Sequence, residues 1–125
     1  MNAIMLVALG GAAGSVLRYL MATAIQKITT LNFPFGTICV NILGCFLIGL
    51  LYIWLIERAA EPRLHLRALL MVGVMGGFTT FSSFSLETIG LLLQGGYLAA
   101  LLNVLISVVL CLLGTVLGMS LARLV

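Results

Sequence analysis

Residues 76–85 read GGFTTFSSFS. Apolar sequence flanks them on both sides, ALLMVGVM (68–75) before and LETIGLLL (86–93) after. Two glycines, two threonines and three serines interrupt what otherwise reads as a membrane helix, and three phenylalanines are threaded through them. Polar groups at such a place are costly, so the fold and the function both turn on why they are there.

The rest of the chain settles the environment. It has 125 residues, 63% of them hydrophobic and 7% charged, and its mean hydropathy is +1.32. No water-soluble domain of this length can hide so much apolar surface, so the chain reads as a single integral membrane domain spanning 1–125. A net charge of +3, confined to loops and helix ends, does not suit nucleic acid; it suits a lipid bilayer with anionic headgroups. A helix needs about 20 apolar residues to cross the hydrocarbon. Four runs qualify, at about 3–25, 34–56, 67–93 and 97–122. They must be helices, because unpaired backbone amides in lipid cost several kcal/mol each. The first run lacks a basic leader and carries Arg18, so it is expected to stay as a helix rather than be cleaved as a signal peptide.

The connections are short: QKITTLNF (26–33) before Pro34, the charged ERAAEPRLHLR (57–67), and QGGY (94–97). With four spans, both termini and the 57–67 loop share one side. Arg58, Arg63, Arg67 and Arg123 lie there, against Lys27 and the nearby Arg18 on the other. This is a shallow lean toward cytoplasmic termini. Small residues recur four apart, as Gly10/Gly14, Gly73/Gly77 and Gly114/Gly118. Such spacing lets helix backbones meet closely, within one chain or between two. GGAAG (10–14) lacks the preceding strand of a phosphate loop and is rejected as one. Cys39, Cys45 and Cys111 form no C-x-x-C pair and read as small core residues, and His65 stands alone in a charged loop.

At membrane depth, Arg18, Asn41 and Glu87 stand out. Arg18 lies near a helix end, within reach of the headgroups. The Asn41 amide either joins two helices or meets a ligand; residue type alone does not choose. Glu87 can pair with nearby hydroxyls or with Arg18. In the interrupted stretch, Phe81 and Phe84 share a helix face and Ser82 and Ser85 a neighbouring one. A break there releases carbonyls suited to a small cation and amides suited to an anion. Hydroxyls, the amide and aromatic ring edges are neutral or partly positive partners for an anion. Such a lining solvates an anion without trapping it beside a fixed cation.

The segments GGAAGSVLRY (10–19), FPFGTICVNILG (33–44) and GGFTTFSSFS (76–85) together resemble the Fluc (CrcB) family of fluoride channels, and the similarity runs over nearly the whole chain. The resemblance implies an all-α, four-helix subunit with its third helix broken near 76–80. It implies an antiparallel, dual-topology homodimer in the bacterial inner membrane, with two fluoride pores at the interface and a role in fluoride resistance. It implies Asn41, Phe81, Phe84, Ser82, Ser83, Ser85 and Glu87 as pore residues, with Arg18 near a pore mouth. Ser107 is the matching fourth-helix position and Asn103 a weaker one. It further implies a structural sodium ion at the dimer centre, held by backbone carbonyls of Gly76 and Thr79. Ser83 stands where the family commonly has Thr; both carry a hydroxyl. The rival is a small four-helix proton-coupled drug exporter, for which Glu87 is the one intramembrane carboxylate. A third reading is an accessory membrane subunit without transport, which leaves the interrupted stretch unexplained. The motifs of an enzyme are absent from the sequence.

Overall fold

The computed structural model describes residues 2–125. Four helical segments are long and apolar enough to cross a membrane: Ala3–Ile28, Phe35–Glu57, Leu64–Leu93 and Tyr97–Leu124. The first is α1. Its N-terminus is capped by Asn2, whose side chain accepts from the Ile4 N–H at 3.3 Å. Lys27 lies in its last turn, where a cation suits the exposed carbonyls. The second, α2, follows Pro34 and winds as a π-helix over Ile53–Glu57, where Arg58 N–H reaches back five residues to the Ile53 carbonyl. The third crossing comprises α3 (residues 64–78), π-helical over Arg67–Met75, and α4 (Phe81–Leu93). The turn into α5 (Tyr97–Leu124) uses Gly95 at φ 78°, a conformation glycine adopts without strain.

The helices pack as two close pairs, α1 with α3 and α2 with α5, joined through α1–α2 and α4–α5 contacts. Lipid gives apolar side chains no reason to associate, so backbone proximity must supply the attraction. In the α1–α3 pair, a Cβ on Gly14 would strike the Val74 carbonyl, and one on Gly77 the Gly11 carbonyl. In the α2–α5 pair, a Cβ on Gly49 would strike the Thr115 carbonyl, and one on Gly118 the Phe46 carbonyl. The small-residue pairs legible in the sequence are therefore spent on contacts within the chain. Val40, Ile53 and Ala122 are fully enclosed, whereas α4 keeps Phe81, Leu86 and Leu93 exposed.

Gly14→Ala should weaken the α1–α3 pair by about 1–3 kcal/mol through overpacking. Gly11→Ala, whose Cβ would meet nothing within 4 Å, should be neutral. Thermal unfolding of the two variants in detergent checks this; equal midpoints would remove the seam from the account.

Candidate functional site

The site is built where α3 stops and α4 begins. Thr79 (φ −84°, ψ 156°) and Thr80 (φ −150°, ψ 121°) are extended. The last turn of α3 closes on Met75, whose carbonyl accepts both the Thr79 N–H (3.0 Å) and the Thr79 hydroxyl (2.9 Å). In a continuous helix the Thr80 N–H would go to the Gly76 carbonyl. Here it goes to Asn41 Oδ1 at 2.8 Å, while Asn41 Nδ2 donates to the Thr80 carbonyl at 3.0 Å. The Ser83 N–H, which would otherwise seek Thr79, is taken by Thr80 Oγ1 at 3.1 Å, the N-cap of α4. Thr80 Oγ1 also exchanges a hydrogen bond with Ser82 Oγ (3.1 Å) and donates to Ser83 Oγ (3.3 Å). These diversions leave the carbonyls of Gly76 and Thr79 without their helical donors. Gly44 on α2 makes room for the Thr79 methyl, since a Cβ there would strike Thr79 Cγ2.

Asn41 thus acts as a joint between α2 and the α3–α4 junction. Its orientation is set by chemistry: only Oδ1 can accept the Thr80 N–H, so Nδ2 must face the Thr80 carbonyl. An amide nitrogen carries two N–H groups and one is used here. The second remains as a donor. The joint and ligand roles left open by the sequence are chemically compatible.

Arg18 turns inward rather than toward the headgroups: its Nε donates to the Gly77 carbonyl at 3.0 Å. Glu87 pairs neither with Arg18 nor with the α4 serines. Its Oε1 accepts from the Thr37 hydroxyl of α2 at 2.6 Å, and its Oε2 is buried without a protein partner. Arg18 and Glu87 face a common cleft of about 320 Å³ that also touches Ser15, Thr23, Thr80 and Ser83. Glu87 and Thr37 extend into a second cleft of about 410 Å³ rimmed by Gln26, Asn32 and Gln94. There Asn32 Nδ2 donates to Gln94 Oε1 at 2.7 Å, tying the two loops at that end.

The rings occupy the other side of the junction. Phe81 and Phe84 lie with centroids 5.3 Å apart at 49°. Phe84 is buried, whereas Phe81 is 77% exposed. Asn41, Thr80, Ser107 and both rings border an apolar cavity of about 250 Å³. Behind Phe84 runs a polar ladder. Thr88 Oγ1 donates to the Phe84 carbonyl (2.7 Å), Asn103 Nδ2 donates to Thr88 Oγ1 (2.9 Å), and Ser107 Oγ donates to Asn103 Oδ1 (3.4 Å). Asn103, the weaker fourth-helix candidate, is 1% exposed and is the centre of that ladder. Ser82 is exposed, and Ser85 is half-buried and takes no part in the network. Thr80 and Thr37 were not singled out in the sequence. The signal for Thr80 was a threonine directly before the helical run that begins at Phe81, the pattern of an N-cap.

Among the described residues, no group of three or more His, Cys, Asp or Glu can hold a metal. The oxygens at the Thr79–Thr80 junction that suit a hard cation are carbonyls and hydroxyls.

The sequence places the chain in a known family. The model for "CrcB-like protein, Camphor Resistance (CrcB)" matches residues 5–119. The chain belongs to the CrcB family. It is 47% identical over 119 residues to the fluoride-specific ion channel FluC of Magnetococcus marinus, covering 95% of this chain and 96% of that one. It is 44% identical over 120 residues to the same-named protein of Coxiella burnetii, at 96% and 97% coverage. It is 47% identical over 126 residues to that of Geobacter sulfurreducens, at 98% of each. With four membrane-length helices and bacterial relatives along its whole length, this CrcB member is a multi-pass bacterial membrane protein.

Thr80→Val should cost about 1 kcal/mol by removing the α4 cap, and Thr80→Ser should keep it. Hydrogen exchange at the first turn of α4 checks this. The valine variant should exchange faster there; unchanged exchange would mean that the hydroxyl does not hold the junction.

Proposed function

We propose that this chain is one subunit of a fluoride-selective channel that releases cytoplasmic fluoride passively across the inner membrane. The observation that carries the reading is the junction at Thr79–Thr80. There backbone dipoles and neutral donors converge at membrane depth, in a chain 47% identical to proteins named as fluoride-specific channels. The spare Asn41 N–H, the ring edges of Phe81 and Phe84, and the hydroxyls of Ser82, Ser83 and Ser85 replace the water shell of a small anion, while Ser107, whose hydroxyl hydrogen goes to Asn103, lines the path. Arg18, the pore-mouth residue, lends positive potential while its Nε is occupied by Gly77. Entry is favourable, and no bare cation holds the ion at the rings. Glu87 lies past the rings along α4, with one oxygen engaged by Thr37.

The working unit is an antiparallel homodimer. Irregular backbone is tolerated at membrane depth only when protein or a water-filled cavity covers it. Gly76, Phe81 and Ser82 are exposed in the single chain, so a second subunit supplies the cover and the interface holds two pores. The glycine pairs are already used internally; the exposed α4 face at Phe81, Leu86 and Leu93 adjoins the uncovered junction and is the surface for that partner. The shallow arginine bias suits insertion in both orientations.

A central structural sodium ion fits the residues present. The Gly76 and Thr79 carbonyls have lost their helical donors to Asn41 and Thr80. Carbonyl oxygens are suitable ligands for a small hard cation. Contributed by two subunits, they would hold the ion and offset the crowding of like dipoles at the junction. No catalysis is required of this protein. Hydrogen fluoride enters as a neutral acid and dissociates inside, and a negative-inside potential drives the anion out with about 2.3 kcal/mol per 100 mV.

Liposomes holding the purified protein should discharge a fluoride gradient and retain chloride; equal rates for both would end the selectivity claim. Asn41→Asp should slow fluoride efflux by at least about tenfold, because the carboxylate loses the spare donor and sets an oxygen against the Thr80 carbonyl. Efflux at the parental rate in that variant would take Asn41 out of the ion's path.

A further inference from the structure

The apolar cavity beside the rings has a second chemistry. Cys45 of α2 and Cys111 of α5 both line it, together with Asn41, Phe84 and Ser107. Both cysteines are free, and they sit on the two helices whose backbones touch along the α2–α5 seam. We infer that Cys45 and Cys111 form a two-thiolate site for soft, two-coordinate metal ions such as mercuric, silver or cuprous ions, and that occupying it obstructs the cavity between the rings and Ser107.

The pair is preformed by the helix seam. A Cβ on Gly114, three residues after Cys111, would sit 3.8 Å from the Cys45 Cβ and 3.2 Å from the Ile42 carbonyl. One turn further on, Gly49 and Thr115 bring the same two backbones into contact. Both Cα positions are thereby held before any metal arrives, so little ordering is needed to close a linear S–metal–S bridge. Thiolate ligands select soft ions over the hard cations that carbonyls prefer, which separates this site from the Gly76 and Thr79 carbonyls. Two ligands suffice for linear coordination, so a third histidine or carboxylate is not needed. The cavity is walled by Phe81, Phe84 and Val108 and is mainly apolar. A neutral species such as mercuric chloride can therefore reach it through lipid. Binding exchanges two chlorides for two thiolates: HgCl₂ plus two thiols gives the dithiolate, two protons and two chloride ions. Metal binding of this kind releases protons and weakens as the pH falls.

The test uses full-length reduced protein with Cys39→Ala, to remove the third thiol. After mercuric chloride, desalting and a glutathione wash, one mercury ion per chain should remain, as expected of a shared dithiolate. Two per chain, or none, would overturn the shared site. Cys45→Ala and Cys111→Ala should each lose retention against glutathione. If either alone retains the parental amount, the thiols act independently and the inference fails. The obstruction rests on the channel reading and has its own measurement. Mercury-loaded liposomes should pass fluoride at least about tenfold more slowly, with the rate restored by a dithiol. Retained mercury with unslowed fluoride flux would leave the metal site standing and remove the cavity from the ion's path.

Discussion

Everything near the α3–α4 junction depends on one reciprocal pair of hydrogen bonds. The Asn41 side chain takes the Thr80 N–H and returns an N–H to the Thr80 carbonyl. An extended residue at membrane depth has a donor and an acceptor that water cannot reach, and each left bare costs several kcal/mol. A primary amide presents that acceptor and that donor on separate atoms in one plane, matching the Thr80 N–H and carbonyl together. A serine offers a single oxygen, and a carboxylate offers two acceptors where one acceptor and one donor are needed. With that pair in place, Thr80 can leave the helix, cap α4 with its hydroxyl, and release the carbonyls behind it. The extended backbone at Thr79 and Thr80 is therefore held by α2 as much as by the third span. Gly44, one turn beyond Asn41 on the same helix, clears the space that the Thr79 methyl needs.

The four helices were legible because length and hydropathy determine them almost alone. Pro34 and the QGGY turn marked two of their boundaries. The interrupted stretch was legible as an anomaly, since glycine, threonine and serine together have no apolar reason to be there. Its partners were not. Nothing in the spacing tells that Asn41 reaches Thr80, 39 residues away, or that Thr37 rather than a serine engages Glu87 across 50 residues. Both contacts cross between helices, and residue types fix the capacity to bond but not the partner. Arg18 illustrates the same limit. Its position near a helix end suggested the headgroups, yet the carbonyl at Gly77 competes for it. The glycine pairs were legible as close contacts but not as contacts within one chain. That depends on which helix faces lie inward, a property of the whole bundle.

Charge placement separates the junction into two environments. Arg18, Glu87, Ser15, Thr23 and Ser83 face one polar cleft, whereas the rings, Ser107 and the thiols face an apolar one. Thr80 borders both, as the shared hinge of the two walls. A full charge beside the rings would bind a counter-ion tightly in a medium of low dielectric constant. Keeping Arg18 and Glu87 on the other side leaves only dipoles near Phe81 and Phe84. Dipoles act over short range, so they favour an ion that can come close, and a small anion comes closest. In the proposed channel, discrimination by size would rest on proximity to donors rather than on net charge.

The polar ladder behind Phe84 addresses a different problem, which is how a ring stays where it is. Thr88 bonds the Phe84 carbonyl, Asn103 holds Thr88, and Ser107 holds Asn103. α4 is otherwise weakly anchored, with much of its apolar surface facing outward. Hydrogen bonds between helices are modest in membranes, about 0.6 kcal/mol on average. The ladder has one bond between helices, Asn103 to Thr88, and its neighbours within α4 and α5 strengthen it by polarisation. Asn103 is almost wholly enclosed, and burying an amide without partners would be unfavourable. The ladder supplies those partners and ties α4 to α5 through the Asn103–Thr88 bond. The mouth of α4 is thus held at two points by two amides on different helices, Asn41 at its first turn and Asn103 further along. Losing either would leave the helix pivoting about the other, so the rings would lose their position before the bundle lost its fold.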